Sequence, residues 1–228
     1  MDFTQPRIGQ VTIFVTYSSS RNRFTDKRPQ ILEALAKAWP TLNEENRHIS
    51  LSSSDQGLEA NIGPDYVRFR AQGIESPSSL VDVLGSHLPA QLWSLLAVEK
   101  FHSVRCQCLV LCAQANYDTV LSELLAVLPR NVSTVAGGPA VDLCFSLVFD
   151  QNGDRRILSF TPVSAPQLQE DYTMLKELPQ SALHIMSSVT QSGTVVSRLS
   201  KLVEESISFA QVEGIALAKA LLGEEANL

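Results

Sequence analysis

Several arginine residues follow the first apolar run of the chain, in a short segment that could bind an anion. Between Arg21 and Arg28 the sequence carries four basic residues and one acidic residue. The first turn of a helix attracts anions, because its backbone N–H groups are unsatisfied and the helix dipole is positive there. Arg21 and Arg23 are therefore candidate ligand-binding residues. The alternative is a solvated loop with an excess of arginine.

A second candidate site is an alternating stripe of one tyrosine and two arginines. Tyr66, Arg68 and Arg70 are spaced two residues apart, so a strand places their side chains on one face. If that face is open, it suits a carboxylate, a phosphate or a nucleic-acid ligand. If a helix covers it, the arginines need partners such as Asp55 or Glu59.

The sequence lacks the short motifs that identify familiar catalytic sites. It contains no phosphate-binding loop, dinucleotide-binding glycine motif, zinc-protease motif or serine-hydrolase elbow. None of the four histidines has a cysteine or an aspartate close to it in the sequence as a partner for nucleophilic catalysis. Adjacent carboxylates such as Glu204 and Glu205 do not converge on a helix. We therefore predict no catalytic residue and no cofactor.

The four cysteines, Cys106, Cys108, Cys112 and Cys144, are predicted to be small core residues rather than a metal site or a disulfide framework. The first three lie in an apolar run typical of a strand, where they share one face with His102. At about 3.3 Å per residue, His102 and Cys112 are roughly 33 Å apart, so one ion cannot bind both. We predict no metal site, and reduced cysteines in a reducing compartment.

The overall composition indicates a folded chain with little charge. Of 228 residues, 44% are hydrophobic and only 18% are charged, against about 25% charged in an ordinary globular protein. The formal net charge of −6 has the wrong sign for a protein whose whole surface binds nucleic acid. There is no membrane-length apolar run and no signal-peptide pattern. The sequence predicts a soluble cytoplasmic protein that binds no membrane, and argues against nucleic acid as a partner.

Hydrophobic periodicity predicts the elements that position the candidate residues. Residues 11–17 are β-branched and aromatic, which suits a strand that is covered on both faces or lies inside a sheet. A helix capped by Thr25 or Asp26 follows and stops at Pro40. The arginine and tyrosine stripe lies in the second strand of a hairpin, which turns at Gly63-Pro64-Asp65.

The rest of the chain alternates strands and helices in the same way. The predicted elements are a helix that starts at Ser76-Pro77 and breaks at Pro89, the cysteine strand, a helix capped by Asn116, strands 142–149 and 156–163 around Asn152-Gly153, a helix over 167–178, a strand over 182–189 and a helix over 194–222. The last helix is about 42 Å long at 1.5 Å per residue. We expect its C-terminal half to extend beyond the sheet, and Gly214 to mark a close helix crossing or a bend.

The sequence therefore predicts an α+β fold. One or more mixed, antiparallel-rich sheets are covered by helices, with a long C-terminal helix. Residues 129–139 form a connector without helical or strand periodicity. This divides the chain into an N-terminal α+β half (1–130) and a C-terminal ββαβα half (131–228), unless the two halves form one continuous domain.

The order of elements around the hairpin resembles that of a sporadically distributed family of uncharacterised bacterial proteins. In that family the hairpin ends in an Asn-Trp-Arg-like triplet followed by a Tyr-Pro step. Arg68-Phe69-Arg70 and Ser76-Pro77 stand at those places here, and Arg70 and Pro77 match outright. The resemblance covers residues 58–112, with the final helix as a looser parallel. It implies a bacterial cytoplasmic protein with a mixed sheet, and it implies no reaction or cofactor.

The absence of catalytic motifs and the length of the last helix lead to a functional prediction. We predict a non-enzymatic interaction protein, such as an adaptor, an immunity-type protein or an assembly subunit. It would bind a protein partner or itself through the apolar stripe of the helix, which consists of Val203, Ile207, Ala210, Ile215, Ala218 and Leu222. The alternative is a small enzyme or sensor that binds an anionic small molecule through Arg21, Arg23, Tyr66, Arg68 and Arg70.

Overall fold

The residues that the structure describes contain nine strands, which form one sheet in which every neighbouring pair is antiparallel. The computed structural model describes residues 3–45, 47–74, 76–114, 116–127, 143–151, 154–175 and 177–223. The strands are β1 (Arg7–Thr16), β2 (Thr41–Glu44), β3 (Ile49–Ser53), β4 (Leu58–Ile62), β5 (Tyr66–Gln72), β6 (Ser103–Gln114), β7 (Phe145–Gln151), β8 (Asp154–Ser164) and β9 (Ser181–Ser192). Their spatial order is β2-β3-β4-β5-β1-β6-β9-β8-β7.

The first strand lies near the centre of this sheet, between β5 and β6. Val11, Ile13 and Val15 alternate along β1 and are at most 1% exposed, whereas Thr12, Phe14 and Thr16 lie on the opposite face. Of the two sequence-based alternatives, an inner strand is therefore correct and a strand covered on both faces is wrong. Each fully buried aliphatic side chain contributes roughly 1.5–3 kcal/mol to folding, so this alternation fixes which face of β1 packs on the core.

Seven α-helices in the described residues pack on the sheet, and all but one short helix lie on the same face. They are α1 (Arg21–Ala36), α2 (Pro77–His87), α3 (Ala90–Leu96), α4 (Tyr117–Val127), the short helix α5 (Ala165–Asp171), and the final pair α6 (Leu199–Ser208) and α7 (Ile215–Leu221). One core cluster joins the buried faces of α1, α2, α3, α4, α6 and α7 to the sheet. The predicted α+β fold with an antiparallel sheet and a long C-terminal helix is confirmed.

The C-terminal helix does not extend beyond the sheet. It begins with a 3-10 turn (Val196–Arg198), and a wider π turn (Phe209–Gly214) joins α6 to α7. The π turn starts where the Ser206 carbonyl accepts a hydrogen bond from Ser187 Oγ on β9 (3.1 Å), and a side chain inserted at this point disturbs the helical ladder. A Cβ at Gly214 would lie 2.8 Å from Ile185 Cγ2. Gly214 thus allows the helix to approach the sheet closely.

Other sequence-based boundaries need correction. Ser20, not Thr25 or Asp26, caps α1 by accepting a hydrogen bond from the Arg23 N–H, so the arginine-rich segment is helix rather than loop. The helix predicted over 167–178 is the shorter α5, and β2 was not predicted. The predicted boundary at 129–139 lies outside the described residues. The two hairpins, the helix start at Ser76-Pro77 and the break at Pro89 are confirmed.

Among the described residues, no helix combines the length and the hydrophobicity that a membrane-spanning segment requires.

Candidate nucleic-acid interface

The face of the sheet opposite the helices is only partly covered. At one end, α5 and the residues after it pack on Leu111, Val163 and Ala182 through Leu168 and Tyr172. There is no room for a side chain at Gly9 of β1, because a Cβ there would lie 2.6 Å from the Tyr172 ring. At the other end, none of the described elements packs over the sheet. We call this uncovered area, around Phe14 of β1, the open face.

Two aromatic rings lie at the centre of the open face. Phe14 on β1 is 37% exposed, which is unusual for a phenylalanine in an inner strand. Its ring stacks on Tyr66 of β5, with centroids 6.0 Å apart and planes inclined by 25°. Partial burial, then the neighbouring carboxylates of Asp65 and Glu45, raise the pKa of Tyr66. The phenol therefore remains neutral at physiological pH and is able to donate a hydrogen bond.

Two arginines flank Phe14. Strand register pairs Phe14 with Arg68 of β5 on one side and with Arg105 of β6 on the other, and both arginines are exposed. Within the described part of the chain, neither guanidinium has a hydrogen bond or an ion pair. Two strand spacings separate them, about 10 Å, and at that distance their repulsion in water is about 0.4 kcal/mol. They can therefore coexist at little cost, ready for an anion.

The row continues across the sheet beyond these three residues. Arg105 faces Thr190 of β9, Thr190 faces Arg155 of β8, and Arg155 faces Asp150 of β7. Four strand spacings separate Arg68 from Arg155, about 19 Å. Asp150 is the cross-strand neighbour of Arg155, which leaves the positive charge of the row concentrated around Phe14.

The structure separates the predicted ligand-binding residues. Tyr66 and Arg68 lie on the open face as predicted. Arg70 lies on the same face, but its Nε donates to Gln10 (2.8 Å) and it forms an ion pair with Glu59 (3.4 Å).

The arginines of the first helix do not join this group. The Arg23 guanidinium donates to the backbone carbonyl of Leu95 (3.0 Å) at the end of α3. The side chain of Arg21 lies outside the described residues. The five predicted residues are therefore not shown to form one site.

Sequence reasoning missed Phe14 and Arg105. Both belong to strands with alternating burial, and both fall on the exposed side of that alternation. The signal was present in each strand, since Arg105 stands between the buried residues Val104 and Cys106 and must point to the opposite face. What the pattern of a single strand does not encode is which strands become neighbours.

The remaining polar candidates do not form a catalytic site among the described residues. No group of three metal-ligating side chains lies together there. Burial raises the pKa of the Cys106 thiol to about 12, which keeps it from acting as a nucleophile. Ser18 Oγ lies 2.5 Å from Nε2 of the exposed His102, but no described side chain bonds the other ring nitrogen to orient it, as a hydrolytic triad requires.

The apolar stripe of the C-terminal helix is not a partner surface. Its residues Val203, Ile207 and Ala210 are fully buried in the core of this chain. Ile215 and Ala218 are 8% and 1% exposed, and Leu222 is partly buried against the same core. These side chains are thus already used for intramolecular packing, and the predicted interaction through them is wrong.

No protein-family model matches the sequence, and no curated protein matches it. Among solved structures, the chain is similar to the rolling circle replication initiator protein from Geobacillus stearothermophilus, with 9% sequence identity and a TM-score of 0.28 over 89% of this chain and 80% of that one. The prediction of a non-enzymatic adaptor, immunity-type protein or assembly subunit is wrong, because the helix stripe on which it rested is buried in the core of this chain. The family resemblance around the hairpin stays a prediction.

Proposed function

We propose that this protein binds single-stranded nucleic acid on the open face of its sheet. The observation that supports this most directly is an exposed phenylalanine held between two arginines and stacked on a tyrosine. An unpaired base would stack on Phe14, and phosphates on either side would bind Arg68 and Arg105. Base stacking on an aromatic side chain contributes about 1–3 kcal/mol, and guanidinium groups bind phosphate oxygens by paired, charge-assisted hydrogen bonds.

The form of the surface favours a single strand over a duplex. In a duplex the faces of the bases are stacked on one another, so a side chain on a sheet cannot reach them without unstacking. Aromatic side chains on an open sheet are a known means of binding splayed, unpaired bases. The row from Arg68 to Arg155, about 19 Å long, is also longer than one nucleotide, which favours a strand over a free mononucleotide.

The acidic charge of the whole chain does not oppose this proposal. The net charge of −6 is a sum over the entire surface, whereas phosphate binding depends on charges within about 10 Å at ordinary salt. On the open face, Glu59 and Asp150 lie beside Arg70 and Arg155, and Arg68 and Arg105 remain in excess. The predicted cytoplasmic location forms part of the proposal, since single-stranded DNA and RNA occur there.

The proposal is tested by fluorescence anisotropy with labelled single-stranded DNA and RNA of about 12 nucleotides, over a range of salt concentrations. Each lost phosphate contact changes the slope of log K against log salt by about 0.7 for single strands. We expect Arg68→Ala with Arg105→Ala to reduce the slope by about 1.4, and Phe14→Ala to weaken binding about 5- to 150-fold.

Two matched variants control for general effects. Phe149 is a strand phenylalanine of similar exposure, 41%, whose ring contacts Phe209 on the helical side, and Arg198 is an exposed arginine at the start of the last helix. Phe149→Ala and Arg198→Ala should bind as the original protein does. Absence of binding to both DNA and RNA, or equal losses in control and open-face variants, would refute the proposal. Tighter binding of a mononucleotide than of a strand would point to a small-molecule site instead.

A further inference from the structure

A cleft of about 450 Å³ opens beside the two stacked rings. It lies at the end of the sheet where the chain passes from β1 to α1, and we call it the end cleft. Its lining residues are Phe24, Thr25, Arg47, His48, Pro64, Asp65 and Tyr66. Tyr66 belongs both to this cleft and to the open face, so a molecule that covers Phe14 can continue into the cleft without a gap.

One wall of the end cleft is held in place by Arg28 of α1. Its guanidinium donates to the backbone carbonyls of Glu45 and His48, at 2.5 and 3.3 Å, and forms an ion pair with Glu44 at 3.2 Å. The same guanidinium lies 5.9 Å above the ring of Phe24. The turn between β2 and β3 is therefore fastened to α1.

The opposite wall is held by Tyr17, just after β1. Its buried hydroxyl donates to the Gly63 carbonyl (2.7 Å), and its N–H donates to the Asp65 carbonyl (2.9 Å). Burial, then the charge of Asp65, raises the pKa of Tyr17, so the hydroxyl keeps the proton it donates. Because hydrogen bonds hold both walls in place, the cleft is formed before a ligand binds. Binding therefore costs little conformational entropy for ordering the cleft.

The chemistry of the lining suits one nucleotide. Pro64 and Tyr66 supply apolar surface for a base beside the buried Phe24, and the exposed Arg47 can bind a phosphate at the mouth. The two carboxylates nearby differ in their use: Glu45 pairs with His48 at 3.3 Å, whereas Asp65 would repel a phosphate and accept hydrogen bonds from the amino group of a base. The base is thus expected inside, and the phosphate outside beside Arg47.

We infer that the end cleft holds the terminal nucleotide of the strand bound on the open face, an inference that rests on the proposed function. A nucleic-acid strand that continues from Phe14 into the cleft reaches α1 next to Phe24. The turn held by Arg28 lies on one side of it, and the turn held by Tyr17 lies on the other. An internal nucleotide would have to enter and leave through the same mouth, whereas a free end needs only to enter. The protein should therefore prefer linear strands to closed circles of the same sequence.

The test compares linear and circular single-stranded DNA of identical sequence, about 20 nucleotides long, as competitors of a labelled strand. One additional stacked base is worth about 1–3 kcal/mol, so we expect the linear strand to compete at least about fivefold better. Arg47→Ala and Asp65→Ala should bring the ratio towards one and leave the affinity for the circle unchanged. Arg198→Ala should keep the ratio.

The outcomes separate the two proposals. If neither DNA binds, and linear RNA of the same sequence does not bind either, the proposed function is wrong. If both bind equally, the open face binds nucleic acid and the inference about strand ends is wrong. If the linear strand is preferred but both cleft variants keep the preference, the end is recognised elsewhere and the inference is also wrong. Arg47 and Asp65 are exposed, and thermal melting of each variant confirms that it is folded.

Discussion

Acidification should destabilise this protein through one histidine. It lies on the same side of the sheet as the open face, but at the end that α5 and the residues after it cover. His184 of β9 lies beneath Tyr172, with the phenol oxygen 3.1 Å from Nε2 and the rings edge to face at 5.4 Å. Burial lowers the pKa of His184 from 6.5 to about 4. The imidazole is therefore neutral where it shares a hydrogen bond with Tyr172, and the protonated form is poorly tolerated in the folded state.

The direction and size of the effect follow from this difference. Above about pH 6.5 the imidazole is neutral in both the folded and the unfolded chain, and its contribution is fully present. As the pH falls from 6.5 towards 4, the unfolded chain binds a proton that the folded chain does not, so the free energy of unfolding decreases. With about 1.4 kcal/mol for each pKa unit, the loss is about 2.5 kcal/mol at pH 4.5 and about 3.5 kcal/mol at its limit.

Urea unfolding between pH 8 and pH 4 measures this loss, and His184→Gln provides the reference. Carboxylates also titrate in this range, but they do so in both proteins, so the difference between the two pH profiles isolates His184. We expect the profile of the variant to be flatter by about 2.5 kcal/mol at pH 4.5. Parallel profiles, or an NMR titration of the His184 ring in the folded protein near pH 6.5, would show that burial does not keep this imidazole neutral.

Two substitutions test the close contacts on which the fold depends. Gly214→Ala gains about 1 kcal/mol in helix propensity, but its Cβ would lie 2.8 Å from Ile185, and overpacking costs about 1–3 kcal/mol. We therefore expect the free energy of unfolding in urea to decrease by about 1 kcal/mol. An increase would contradict the close approach of the helix to the sheet. Tyr17→Phe leaves the Gly63 carbonyl without its donor, which should cost about 1–3 kcal/mol and weaken the preference for linear strands. The matched variant Tyr66→Phe, at a residue that is only partly buried, should melt as the original protein does.

Much of the fold was predictable because its signals are local. The hairpin of β4 and β5 follows from its turn residues, and the alternation in β5 correctly placed Tyr66 and Arg68 on the face opposite the core. The helix start at Ser76-Pro77 was also found. These features depend on residues within a few positions of one another, so the sequence contains all that is needed to predict them.

The candidate site was only half predictable because it is assembled from distant strands. Phe14 and Arg105 become neighbours when β6 pairs with β1, a pairing that no local pattern specifies. The C-terminal helix shows the same limit. Its period correctly identified the apolar stripe, but the period does not say whether the stripe packs on this chain or on another. The length of the helix suggested an overhang, and the close approach at Gly214 shows instead that it lies along the sheet.

The π turn also divides the last helix into two parts of different phase. Each residue of an α-helix advances the side chains by about 100° around the axis, and a π turn takes up one extra residue. The stripe of α6 and the stripe of α7 therefore face the same sheet although their spacing across the turn is not that of one continuous α-helix. Removing a single residue between Phe209 and Gly214 would leave Ile215 and Ala218 on the core side of a regular helix, whereas a regular α-helix with the present number of residues would rotate them by about 100° away from the core. With its present number of residues, the last helix can either be a regular α-helix or pack both stripes on the sheet. It packs both stripes on the sheet.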